Sequence, residues 1–175
     1  IIVYEPTASV YHWHGIHQGL DVKRAQGVVR VMEQIHGESV LPDFLATEQQ
    51  HNVVVIPVRL QPEFTLQQEL LAVTVKHALE LRGIAKVVVS TDSEELASIA
   101  RQAGAEVPFI RPGHLADKSV DVVDVVRHAM NAVEKVADVV DAVVLLEIAY
   151  PLRRVNDISD MLDRLYAEGL EVVVA

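Results

Sequence analysis

A chain of 175 residues is one full domain, or one domain and a fragment. Half the residues are hydrophobic and 23% are charged, which supplies a core and excludes general disorder. The formal net charge of -10 opposes duplex DNA and anionic membrane surfaces as partners, whereas a small anion can still be held by a local arginine or a helix terminus.

Cysteine is absent, so disulfide frameworks, zinc fingers and thiol catalysis are excluded. That is compatible with a reducing cytosol. No apolar run approaches the roughly 18 to 20 residues of a membrane span. The opening Ile1-Ile2-Val3-Tyr4-Glu5 carries no signal-peptide pattern. A cytoplasmic protein is the expectation. The chain begins without Met inside an apolar run and closes on what reads as a strand, Glu171 to Val174, so the natural protein is expected to continue beyond it.

Residues 1–50 differ in composition from the rest. They hold the cluster His12-Trp13-His14 with His17, and a helical spacing predicts a helix from Val22 to His36, stopped by Gly37. If the first stretch is extended, His12 and His14 share a face and could hold a transition metal; the alternative is a folded arm packed on Trp13. Glu38 to Asn52 reads as a polar connector.

From Val53 the pattern is regular. Buried strands are predicted over Val53 to Val58, Lys86 to Thr91 and Ala142 to Leu146, with a final strand at Glu171 to Val174. Helices are predicted over Leu70 to Leu81, Ser93 to Ala103, Ser119 to Val136 and Val155 to Ala167, with glycine stops at Gly83, Gly104 and Gly169. Glu106 to Ile110 is a short extended piece. Continuously apolar strands alternating with amphipathic helices predict an α/β fold, a mostly parallel sheet with helices on both faces. Ligands of such sheets bind at the rim formed by the strands' carboxyl ends. An apolar last strand without a partner makes self-association, hence a homodimer, an expectation.

Four rim segments follow. Arg59 offers a planar fork of donors to a phosphate, or is a surface arginine. Its loop, Leu60 to Leu66, has no glycine and no lysine, so it is not a phosphate loop of the P-loop type. Asp92 opens a helix and reads as its cap, with Glu95 closing a capping box. Arg111-Pro112-Gly113 could read a phosphate or a base edge, or could simply turn the chain. Glu147 could bind Mg²⁺ or a base amino group, or could pair with Arg153 or Arg154. Asp157, Asp160 and Asp163 lie on one helix face where Arg153 and Arg164 can pair with them.

Val87-Val88-Val89-Ser90-Thr91-Asp92-Ser93-Glu94-Glu95-Leu96-Ala97, then Gly104 through Arg111-Pro112 and Leu115-Ala116, then Leu145-Leu146-Glu147 through Pro151-Leu152-Arg153, together resemble the acylneuraminate cytidylyltransferases, the CMP-sialic acid synthetase family. The resemblance covers residues 53–175, in the family's order and spacing. It implies a Rossmann-like nucleotide-diphospho-sugar transferase fold, truncated at the C-terminus here. The implied activity is transfer of CMP from CTP to a sialic-acid-like sugar acid for surface glycans, with Mg²⁺ held by residues beyond Ala175 and none assigned within the chain. By resemblance Arg59 contacts the triphosphate and carries the catalytic role. Arg111 lies near the cytosine, Ser119 helps hold the nucleotide, and Glu147 takes the place of a glutamine near the base.

Three departures accompany the resemblance. The family's Gly-Ser-Lys and later Lys-Asn are missing from the loop after Arg59. Its Leu-Ala-x-Asp reads Leu115-Ala116-Asp117-Lys118, and its Gln-Pro-Thr-Ser-Pro reads Glu147-Ile148-Ala149-Tyr150-Pro151. Loss of the loop lysine removes a charge worth several kcal/mol at a transition state. Poor turnover by this chain alone, or a non-catalytic module that keeps the fold, is therefore the alternative expectation. A different nucleotide-sugar transferase on a similar sheet is a third. Residues 1–50 carry Val10 to Gly15 with Arg24 and Val28 to Val31, which resemble the tail of a family-2-type glycosyltransferase. A boundary near residues 50–53 is expected.

Overall fold

Strands form where β-branched residues run together, and helices form where apolar residues recur at three and four. The computed structural model describes residues 9–12, 50–61, 63–134, 140–168, 170 and 172–174. The elements are β1 (Ser9–His12), β2 (Asn52–Val58), α1 (Gln67–Leu79), β3 (Ile84–Thr91), α2 (Glu94–Gln102), a single 3₁₀ turn (Gly113–Leu115), α3 (Val122–Glu134), β4 (Ala142–Leu145), α4 (Val155–Ala167) and β5 (Val172–Val174). They build one five-stranded sheet in the order β3-β2-β4-β1-β5. β2 runs parallel to both β3 and β4, while β1 is antiparallel to β4 and β5.

The period of two along each strand splits the core into two layers. Val54, Ile56, Val87, Val89, Ala142 and Val144 face α1, α2 and α4. Val53, Val55, Val88, Val143 and Leu145 face α3, where Val126, Ala129, Met130 and Val133 cover them. Helices thus lie on both faces. The chain steps outward from β2 to β3 and then back across β2 to β4. A right-handed crossover in each direction requires α1 and α3 to take opposite faces, as they do.

Several local expectations are corrected. Ser93, not Asp92, caps α2: its Oγ accepts from Leu96 N at 3.4 Å. Asp92 instead accepts the Leu60 amide at 2.9 Å, and Glu95 accepts from Gln68 at 2.5 Å rather than closing a capping box. α3 begins at Val122 rather than Ser119, because Asp121 caps it by accepting from Val123 N at 2.8 Å. α1 begins at Gln67, three residues before the first apolar residue of its stripe. Of Glu106 to Ile110, only Glu106 bridges to the sheet, at Val88. On α4, Asp160 and Asp163 pair with Arg82 at 2.7 and 3.1 Å and Asp157 pairs with Arg154; Arg164 pairs with Glu168 instead.

β5 has a partner on one side, since Tyr11 faces Val172 and Ser9 faces Val174. The helix expected over residues 22–36, Trp13, His14 and His17 all lie outside the described residues.

Candidate functional site

The strand order reverses between β2 and β4, and at such a switch point the loops leaving the two strands part and open a crevice. A cleft of about 460 Å³ occupies this place. It is lined from the end of β2 by Val58, Arg59 and Gln61, from the start of α1 by Gln67, from the segment after β3 by Arg111, Asp117 and Lys118, and from the end of β4 by Glu147, Ile148 and Ala149. Phe64, Leu115, Val122 and Val125 supply apolar wall.

Arg59 leaves β2 half-buried, with Nη1 on the Ala116 carbonyl at 3.4 Å. Arg111 is only 5% exposed. Its amide donates to the Thr91 carbonyl at 2.7 Å, and its Nη2 donates to the Val58 carbonyl at 3.1 Å. Burial lowers the Arg111 pKa; the Asp92 carboxylate opposes that shift and the Arg59 charge adds to it. An arginine so placed remains a cation at neutral pH.

Asp117 is exposed and accepts from both the amide and the hydroxyl of Ser119, at 2.8 and 2.7 Å. Those two bonds lead in holding its carboxyl below the usual range, and the charges of Arg59 and Lys118 act the same way. Ser119 itself is exposed and is not among the residues lining the cleft. Glu147 is half-buried; its carbonyl accepts from Arg153 Nη2, and its charge opposes the burial that lowers the Arg153 pKa.

Of the residues expected at the site, then, Arg59, Arg111 and Glu147 share one cleft, and Ser119 reaches it only through Asp117. The cleft holds three cations, Arg59, Arg111 and Lys118, against two carboxylates, Asp117 and Glu147. None of the three cations forms an ion pair among the described residues. A local excess of positive charge in a chain of net charge -10 suits an anionic ligand.

Lys118 and Gln67 were not singled out from the sequence. Lys118 reads there only as a departure from an aspartate. Gln67 lies before the apolar stripe that marks the helix, so its burial has no sequence signal.

The family model described as cytidylyltransferase matches residues 66–170. The chain belongs to the cytidylyltransferase family. Among curated relatives, it is 33% identical to the CMP-N,N'-diacetyllegionaminic acid synthase of Legionella pneumophila, over 59% of this chain and 45% of that protein. It is 27% identical to a pseudaminic acid cytidylyltransferase of Campylobacter jejuni, over 61% of this chain and 44% of that protein. The chain spans about half the length of the curated relatives it matches. In fold, this cytidylyltransferase family member is similar to CMP:2-keto-3-deoxy-manno-octonic acid synthetase, a structure complexed with CTP, at a TM-score of 0.56 and 20% identity over 68% of this chain and 48% of that one. The nucleotide-sugar transferase fold expected from the sequence is the fold observed.

Proposed function

We propose that the cleft binds CTP and that its residues serve transfer of the cytidylyl group to a sugar acid of the nonulosonic class. In that reaction a sugar hydroxyl attacks the α-phosphorus, the bond to the bridging oxygen breaks, and pyrophosphate leaves. Such chemistry rests on positioning and on neutralising charge on the phosphates. The observation that carries the reading is the convergence of Arg59, Arg111 and Lys118, without ion-pair partners among the described residues, on a cleft at the strand-order reversal. Arg59 and Lys118 take the triphosphate. Arg111, fixed by Val58 and Thr91, takes the nucleotide nearer its base. Glu147 accepts from the cytosine amino group, and Ser119 orients Asp117.

The resemblance also implied Mg²⁺. Among the described residues no group of three His, Asp or Glu side chains gathers to hold a metal. Both Ser119 bonds fall on Asp117 Oδ1, and in this reading the ligands of the ion lie outside the chain, with the triphosphate supplying the rest of its shell.

Residues 53–175 form the cytidylyltransferase-like unit in this reading, and 1–50 a segment of an upstream glycosyltransferase-like domain, with Ser9–His12 lending a strand to the sheet. A cytoplasmic homodimer is the proposed setting; no helix of the described residues is long and apolar enough to cross a membrane.

The test is calorimetric titration with CTP and cytidine, followed by pyrophosphate release with a panel of nonulosonic acids. CTP binding well above cytidine binding, with sugar-dependent release, is expected; no binding of CTP would overturn the proposal. The loop after Arg59, which has neither glycine nor lysine, favours a second reading: a module that binds nucleotide without turning it over. CTP binding with no release for any sugar acid would select it.

A further inference from the structure

Gln67 is polar, stands at the first position of α1 and is only 3% exposed. Burying an amide is unfavourable unless both of its ends are paired. Both ends are paired, and both partners are backbone groups of the loop after β2. Nε2 donates to the Arg59 carbonyl at 2.7 Å, and Oε1 accepts from the Gln61 amide at 3.1 Å. The residue between them, Leu60, gives its amide to Asp92 at 2.9 Å. Three successive residues are thus each held through one backbone group, by side chains from the start of α1 and from the residue just after β3.

Arg59 is the only cation in the loop 59–66. A loop without glycine cannot fold its own amides closely around an anion, so the site depends on where that one guanidinium points. We propose that Gln67 is a positioning residue that presents Arg59 to the phosphates of the ligand, with Asp92 steadying the residue between. This rests on the nucleotide reading of the cleft. Fixing the backbone before binding removes an ordering cost that the ligand would otherwise meet.

The test uses Gln67→Leu and Gln67→Met, alone and combined with Arg59→Ala, with CTP, inorganic tripolyphosphate and cytidine as probes. Each single variant at Gln67 is expected to weaken CTP and tripolyphosphate by about tenfold, the size of one misplaced charged contact. Cytidine affinity is expected to hold. On the Arg59→Ala background the further loss should fall to about twofold or less, because Gln67 acts through Arg59. Equal losses in both backgrounds, a parallel loss for cytidine, or failure of both variants to fold would each overturn the positioning role. Wild-type protein that binds neither CTP nor tripolyphosphate would sink the nucleotide reading as well. Tight wild-type binding that ignores Gln67 would sink this inference alone.

Discussion

Arg111 donates from Nη2 to the carbonyl of Val58, 53 residues earlier and the last residue of β2. The bond ties the segment after β3 to the end of the neighbouring strand, across the floor of the cleft. One guanidinium therefore has two duties: it closes a strand end and it lines the site. We predict that Arg111→Ala removes detectable CTP binding and lowers stability by about 2 kcal/mol, since a charged hydrogen bond is lost and a carbonyl is left without its partner. That corresponds to a fall of roughly 4 to 8 °C in Tm for a chain of this size. Arg111→Lys should not rescue binding, because an ammonium lacks the fork. Thermal melts and calorimetry measure both effects; a Tm unchanged by Arg111→Ala would contradict the structural duty.

Lys118 is exposed at the cleft edge, so its contribution should respond to salt. We predict that Lys118→Ala weakens CTP by about fivefold at low salt, equivalent to about 1 kcal/mol, and that the difference shrinks as salt is raised. Cytidine affinity should not change. A loss of the same size for cytidine would show that Lys118 does not face the phosphates.

At the opposite end of the strands, Tyr166 donates its hydroxyl to the Asn52 side chain, and Asn52 Nδ2 donates to the Gly83 carbonyl at 2.9 Å. Asn52 is fully buried, so Tyr166→Phe leaves its oxygen short of a donor. We predict a loss of about 1 to 3 kcal/mol with CTP affinity unchanged, measured by denaturant unfolding and calorimetry. Burial chiefly, with the nearby Asp141 charge, raises the Tyr166 pKa. The folded value lies above the unfolded one. Its stabilising contribution is therefore complete below the ordinary tyrosine range near pH 10 and is lost as the pH climbs beyond it. Tyr166→Phe should flatten that alkaline decline; an identical decline in the variant would refute the assignment.

Gly104 has φ +105, and a Cβ there would meet Leu79 Cδ1 at 3.0 Å. We predict that Gly104→Ala costs about 1 to 2 kcal/mol, from the left-handed backbone and the close approach together. By contrast, Arg82→Ala, which breaks two exposed ion pairs with Asp160 and Asp163, should cost less than about 1 kcal/mol. Equal costs in urea titrations would contradict this ranking.

The strands and helices after Asn52 were legible because their periods are set by burial. Val53 to Val58 had to be covered on both faces, and Val155 to Ala167 carries an unbroken helical stripe. Helix starts were less legible. Ser93 and Asp92 are both competent caps, and only the demand of the Leu60 amide for an acceptor decides between them. Arg59, Arg111 and Glu147 could be assigned to a common rim because continuously apolar strands alternating with helices imply parallel strands, and parallel strands end at one rim. Ser119 could not be placed, since its hydroxyl is taken up by Asp117 and that residue, not Ser119, lines the cleft. The antiparallel insertion of Ser9–His12 had no local signal, because its partners lie at the far end of the chain.

That insertion has a kinetic consequence. Ser9 pairs with Leu145, so most of the polypeptide must be looped before the contact can form, and loop-closure entropy delays it relative to the nearby β2–α1–β3 unit. We predict that the amides of Ser9–His12 gain protection last in pulse-labelled refolding; protection in the earliest phase would refute the order. Until β1 arrives, β4 has a bare edge open to any other chain, so refolding yield should fall as concentration rises.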